Sequence, residues 1–408
     1  MGDILFLAHR VPFPPDRGDK IRSHHLLARL ARLAPVRVGA LVESAQDRAG
    51  EAELARIAAS HFAPRRAKPL ALAGIEAVIA GKPVSLAAFH SAALERWVRR
   101  TLAEHEVDTI VVFSGQMGQY VPEDFAGRVV IDLCDVDSAK FAGYAEAGQR
   151  AWLNRREARL LAREEERLAA RADATILISE PEADLLRPRL PAAAAARLHV
   201  IGNGIDAARF DPCTSAPHPA LAARPGPHFV FTGQMDYRPN ETAAKWASRE
   251  LLPRLRAHFA RAEFHVVGRN PSRAVAALDE REGVTVWGEV PDTRPFLAAA
   301  DVVLAPLDIA RGVQNKVLEA MAMARPVLLS PAAATGIAAA DGTDFLVSEL
   351  DPGTMAQAAA RLLADPARAA AMGAAARRFV LERHGWDALL APLETLVSAG
   401  PEGVRHAA

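Results

Sequence analysis

Cysteine is nearly missing from this 408-residue chain, which has only Cys134 and Cys213. A single pair makes no disulfide framework, and such sparing use fits a reducing compartment, so a cytoplasmic location is expected. A charge excess is missing too, with Lys plus Arg and Asp plus Glu at 49 each. A neutral chain projects no field that gathers nucleic acid, and none is expected as a partner. Long apolar runs are also lacking: no window reaches the ~18 uninterrupted apolar residues that span a bilayer. The richest window, residues 70–80, is broken by Gly74 and Glu76 and is expected as a core helix rather than an interfacial one. Any membrane contact would then be peripheral. Residues 1–8 are apolar but too few for a signal peptide and have no basic stretch before them. No Gly-x-Gly-x-x-Gly follows an apolar run, which argues against a dinucleotide oxidoreductase.

What the chain does have is regular alternation. Short apolar runs at residues 4–8, 36–41, 109–113, 129–132, 174–178 and 198–201 read as strands, and the pattern restarts at 229–232, 264–267, 284–287, 302–305 and 327–329. Helical periodicity fills the gaps, as at 23–33, 154–172 and 242–258. Strands separated by helices predict βαβ units, and unbroken apolar strands predict parallel sheets covered on both faces. Residues 203–227 hold the turn chemistry of a linker, including Asp211-Pro212 and Arg224-Pro225-Gly226-Pro227. The expected fold is α/β, with two doubly wound Rossmann-like domains at 1–204 and 205–385. The mixed charges of residues 155–171 read as a solvated helix face.

In open α/β sheets ligands bind beyond the carboxyl ends of the strands, so the residues after each strand are the candidates. After the first strand come His9-Arg10 and a long loop with Arg17, Gly18, Asp19 and Lys20, leading into a helix near Ser23. Gly18 permits close backbone approach, and the helix behind it offers free N–H groups. Asp132, Asp135 and Asp137 crowd one stretch; they could orient hydroxyls, bind a metal or cap the next helix, and spacing leaves these alternatives open. In the second half, strands end in Gly233 to Asn240, in Gly268-Arg269, and in a loop running to Gln314-Asn315-Lys316. Arg238, Arg269, Arg311 and Lys316 then form a diphosphate cradle. Glu319 sits in the apolar helix Val317-Leu318-Glu319-Ala320-Met321, where an unpaired buried carboxylate costs several kcal/mol. It pairs with Lys316 one turn back or accepts two ribose hydroxyl hydrogens; the second reading is preferred.

Taken in order, Gly18, Asn203-Gly204-Ile205-Asp206, Phe231 to Gly233, Val267-Gly268, Trp287-Gly288, Leu318-Glu319-Ala320-Met321-Ala322, Arg325-Pro326-Val327 and Trp386 resemble retaining glycosyltransferase family 4, with the GT-B fold. The 12–22 loop and the 312–316 run are similar to the sugar transferases of exosortase-linked exopolysaccharide clusters. The resemblance implies two Rossmann-like domains facing a central cleft, the first binding acceptor and the second nucleotide-sugar, with the helix near 386–400 packing back on the first. It implies retention, no metal, and no cofactor, the nucleotide-sugar being a substrate. The acceptor would be a saccharide or a lipid-linked one. Glu319 matches the second glutamate of the family's Glu-x7-Glu motif, and Gly18 the loop glycine near the donor diphosphate. The implied site has Asp135, Arg311 and Lys316 as catalytic groups. Gly18, Asp19, Gly233, Arg238, Asn240, Gly268, Arg269, Gln314, Asn315 and Glu319 would bind donor, and His9, Arg17 and Asp132 would bind acceptor. Two departures stand out: Arg311 occupies the position of the motif's first glutamate, and Gln234 that of a family arginine. The alternatives are a GT-B sugar-nucleotide epimerase and a nonenzymatic nucleotide-sugar-binding protein.

Overall fold

A computed structural model describes residues 2–66, 68–146, 148, 150–310 and 313–398. Arg311, expected in the cradle, lies outside the described residues, as does Gly312. Thirteen strands lie among the described residues, all paired in parallel within two sheets. The chain divides into two compact units, residues 1–203 with 389–408, and residues 204–388.

In the first unit, β1 (Asp3–Ala8), β2 (Val36–Ala40), β3 (Ser60–Phe62), β4 (Val107–Phe113), β5 (Arg128–Cys134), β6 (Ala174–Leu177) and β7 (Leu198–Val200) lie in the order 3-2-1-4-5-6-7. In the second, β8 (His228–Thr232), β9 (Glu263–Val267), β10 (Val284–Gly288), β11 (Val302–Ala305), β12 (Val327–Leu329) and β13 (Leu346–Val347) lie in the order 10-9-8-11-12-13. Each order reverses direction once, between β1 and β4 and between β8 and β11. At such a switch point neighbouring crossover helices lie on opposite faces and leave a crevice at the strand ends. β8 and β11 are buried along their whole length, β1 from Ile4 and β4 from Thr109, because helices cover both faces. The last helix, Ala391–Ser398, belongs to the first unit: Glu394 pairs with Arg29 at 3.0 Å, and the Thr109 hydroxyl donates to the Val397 carbonyl at 3.2 Å.

Three expectations change. The helix after β1 starts at Gly18, not near Ser23, and runs to Leu30. Lys20, Arg22 and Ser23 in its opening turns are buried, which hides its start from an apolar pattern. Lys20 is held by Asp47 at 2.5 Å, and Arg22 by Asp132 at 2.8 Å. The helix expected at 242–258 begins at Arg238, and a π turn at Ala247–Leu251 lets it continue past Pro253, which has no N–H to donate.

The third concerns the apolar segment at 70–80. Helix Leu70–Ile79 is not a core helix: only Ala73 and Ala77 are buried, against Ala87 and Ala88. Leu70, Leu72, Ile75, Val78 and Ile79 are exposed. Its small residues face inward and its large ones outward, the reverse of the usual amphipathic arrangement. Among the described residues no helix is long and apolar enough to cross a membrane.

Candidate functional site

The second unit supplies the more complete site, at the carboxyl ends of β8, β9 and β11. Each of these strands is too apolar to continue into solvent, so each breaks at a polar loop. Gly233 ends β8 and Gly268 ends β9, and the two turns touch: a Cβ on Gly268 would fall 1.6 Å from the Gly233 carbonyl oxygen. No other residue fits there. Gly268→Ala is expected to force the loops apart and lower unfolding stability by at least about 2 kcal/mol. Denaturant titration checks this, and an unchanged midpoint would show that the loops are pliable.

The close approach places three side chains around the turn. Asn240, buried in the first turns of helix Arg238–Trp246, donates from its Nδ2 to the Gln234 carbonyl at 2.9 Å. Its Oδ1 accepts from the Lys316 Nζ, which also lies 4.7 Å from the Phe231 ring centroid. Burial lowers the Lys316 ammonium to about 8, against the nearby Glu319 charge. One turn along helix Asn315–Ala322, burial raises the Glu319 carboxyl to about 7, with Arg209 and Lys316 opposing. That carboxyl has no hydrogen-bond or ion-pair partner among the described residues. The expected alternative, a pair with Lys316, is therefore not formed.

The other donor-side candidates are less committed. Arg269 donates to the Gln234 Oε1 at 3.0 Å, so Gln234 holds this arginine at the turn. Arg238 and Asn315 are exposed at the starts of their helices, and Gln314 precedes the second of these. The Lys316–Asn240 and Arg269–Gln234 links could not be read from sequence spacing, since each joins loops from different strands.

In the first unit, the end of β1 carries a charged cluster. His9 Nε2 lies 3.1 Å from Asp19, which also takes Arg10 at 2.5 Å and Arg17 at 2.7 Å. Burial alone would raise the Asp19 carboxyl, but the His9 bond and the two arginines hold it well below the usual range. Burial lowers the His9 pKa, and the Asp19 bond opposes it. The ring stacks on Phe113 with its Nδ1 buried and unpartnered among the described residues. Gly18 opens the helix with nothing near its α-carbon side.

Asp132 is placed differently from a ligand-facing group. It is fully buried; one oxygen takes Arg22 and the other the Cys134 amide at 3.0 Å. Arg22 reaches onward to the carbonyls of Ile201 at 2.9 Å and Gly202 at 3.0 Å, tying the end of β5 to the chain leaving β7. Asp135 is exposed at the end of β5; partial burial, then the charges of Glu182 and Asp137, raise its carboxyl.

A further cluster lies at the opposite, amino ends of β8 and β9. Donor atoms of His228, Glu263 and His265 converge within 4.8 Å, the arrangement among the described residues that could hold a metal ion. His265 is fully buried, and burial, then the charges of His228, Arg224 and His218, lower it to about 3.

Residues 226–365 match the family described as "Glycosyl transferases group 1". Alpha-maltose-1-phosphate synthase from Mycolicibacterium smegmatis is 29% identical over 234 residues, which make up 53% of this chain and 60% of that relative. The aligned part thus spans less than two thirds of the relative's length. Among solved structures, sucrose-phosphate synthase from Thermosynechococcus elongatus matches at a TM-score of 0.58 with 18% identity, over 97% of this chain and 98% of that one. Anabaena HepE, crystallised with UDP-glucose, matches at 0.61 with 16% identity, over 98% and 100%. WaaG, a glycosyltransferase involved in lipopolysaccharide biosynthesis, matches at 0.61 with 18% identity, over 97% and 100%. The charged, glycine-crossed loops of the second unit fall inside the matched segment, and the chain as a whole has the GT-B fold.

Proposed function

We propose that this chain is a cytoplasmic glycosyltransferase. It moves a sugar, with retention, from a nucleotide-sugar to a saccharide or lipid-linked acceptor in exopolysaccharide or envelope polysaccharide synthesis. The observation that carries the reading is Glu319: a half-buried carboxyl without a partner, one helical turn from a cation, at the switch point of the second sheet. A ribose offers two adjacent hydroxyls that would satisfy both its oxygens, and a diphosphate would sit against Lys316. The UDP-glucose of HepE shows that a chain of this fold holds such a donor.

The chemistry follows from charge. When the bond from the sugar's anomeric carbon to the diphosphate oxygen breaks, the electron pair leaves with the diphosphate. Lys316, fixed by Asn240, meets that charge, with Arg269, Arg238 and Arg311 as further cations. A cation ~4 Å from the leaving oxygen contributes roughly 4 kcal/mol at an effective dielectric of 20. The acceptor hydroxyl adds to the same face of the sugar and passes its proton to a diphosphate oxygen, so no metal is needed. On the first unit, His9 and Arg17 are the acceptor-binding groups, Gly18 is a donor-binding one and Asp135 a catalytic one. Asp19 already takes His9, Arg10 and Arg17, and it acts by holding those groups in place.

Calorimetry with UDP, GDP and ADP tests the donor site. One nucleotide is expected to bind the unaltered protein, and Lys316→Ala to weaken it by roughly tenfold to a hundredfold, the loss of one hydrogen bond to a charged group. Failure of all three nucleotides to bind would sink the reading. Conversion of one nucleotide-sugar into its epimer, without an acceptor and without net nucleotide release, would favour the epimerase.

A further inference from the structure

The exposed apolar helix is the largest feature the proposed activity leaves unused. Leu70 is 67% exposed, Ile75 60% and Ile79 82%, on a helix whose one charged residue, Glu76, is closed off by Lys68 at 2.5 Å. Side chains of this size in water on one face mark a contact surface.

Its surroundings are basic. Beside it runs helix Ala151–Arg171, whose Arg156 donates to the Ala77 carbonyl at 2.8 Å and the Lys82 carbonyl at 3.2 Å, pinning the far end of the apolar helix. On the same stripe as Arg156, at helical spacing, lie Trp152, Arg155 and Arg159. Trp152 is 72% exposed, and Arg155, Arg159 and Lys82 are exposed as well. Expected from its mixed signs to be merely solvated, this helix turns Arg156 toward the apolar helix and leaves Arg155 and Arg159 exposed beside Ala142 and Glu146.

We propose that helix Leu70–Ile79 and this arginine stripe dock the chain on an anionic lipid surface. The aliphatic side chains enter the boundary between headgroups and acyl chains, with the helix lying in the plane of the membrane. Lys82, Arg155 and Arg159 meet lipid phosphates, and the Trp152 ring sits at headgroup depth, where its apolar body and N–H are both accommodated. A second copy is the weaker occupant, because self-pairing would bring the same cations face to face. The proposal stands on this surface alone and needs the proposed function only to say which membrane is met.

Flotation of the full chain with vesicles is the test, using phosphatidylcholine alone and a mixture of phosphatidylcholine and phosphatidylglycerol. The protein is expected to float with the anionic vesicles and not with the neutral ones. Ile75→Glu with Ile79→Glu should weaken binding by at least about tenfold, since membrane affinity scales with buried apolar area. Lys82→Glu with Arg155→Glu should lower it as well, by charge. All four positions are exposed or at the helix surface, so thermal midpoint and nucleotide binding, measured in parallel, should not move. Equal flotation by the double isoleucine variant would overturn the proposal, as would no preference for anionic vesicles. A concentration-dependent dimer that the same variant abolishes would assign the face to a second copy instead.

Discussion

At pH 8, Glu319→Gln should unfold at higher denaturant than the unaltered protein and bind the donor nucleotide at least about tenfold more weakly. The sign comes from the proton. Folded, Glu319 holds its proton until about pH 7, whereas an ordinary glutamate releases it near 4.5. Between those values the unfolded chain has ionised and the folded one has not, so stability falls as pH rises through this window. Full burial would make that about 3 kcal/mol above pH 7, and the carboxyl's partial exposure reduces it to about 2. Glutamine has the same shape and no charge to desolvate, so it recovers this energy above pH 7. Below pH 4.5, where both states are protonated, the advantage should vanish. A stability gap that does not change between pH 4 and pH 8 would rule out the buried ionisation. On the binding side, two ribose hydroxyls donating to a carboxylate make charge-assisted bonds, and an amide oxygen can replace only one of them, neutral. Affinity of the unaltered protein should accordingly peak between about 7, where Glu319 ionises, and about 8, where Lys316 loses its charge. A residue that costs stability and supplies binding is what a site kept for its ligand looks like.

Much of the fold was legible because its strands are apolar without interruption, from Ile4 to Ala8 and again from Phe229 to Phe231. The two strands missed are at sheet edges and short. One is β3, with polar Ser60 and His61, and the other is β13, with two residues. The loops that follow β8, β9 and β11 were legible because each apolar run stops at a polar one, and Glu319 stood out as a carboxylate in an apolar helix. What this pattern could not give is who holds whom. Arg22 and Asp132 are 110 residues apart, and Lys316 and Asn240 are 76 apart. Only the parallel sheet brings such pairs together. The apolar helix at 70–79 was misread for a different reason: apolar composition measures how much a segment could bury, and alanine at 73 and 77 decided how little of it did.

Between pH 7.5 and pH 4, the unaltered protein should lose about 3 kcal/mol more stability than His265→Gln. His265 sits in a relay fixed by its neighbours. Trp287 donates its indole N–H to the His265 Nδ1 at 3.3 Å, so the ring's proton is on Nε2. That N–H points to the His228 Nδ1 at 3.1 Å, and the His228 Nε2 donates to the Arg224 carbonyl at 3.2 Å. Every ring nitrogen in the relay is used with both histidines neutral. A metal ion would need the His265 Nε2 lone pair and would move the ring proton to Nδ1, against the Trp287 N–H. The cluster is therefore a structural relay, despite the convergence of its donor atoms. Adding a proton breaks the relay at a fully buried ring, which is why the ring resists ionising until about pH 3. The unfolded chain takes that proton near 6.5, so the stability is fully present above 6.5 and is lost as pH falls toward 3. Glutamine cannot take the charge, and the gap between the two proteins in denaturant titrations should narrow steadily through that window. A constant gap would mean that His265 ionises as an ordinary histidine, and a melting temperature raised by zinc in the unaltered protein alone would restore the metal reading.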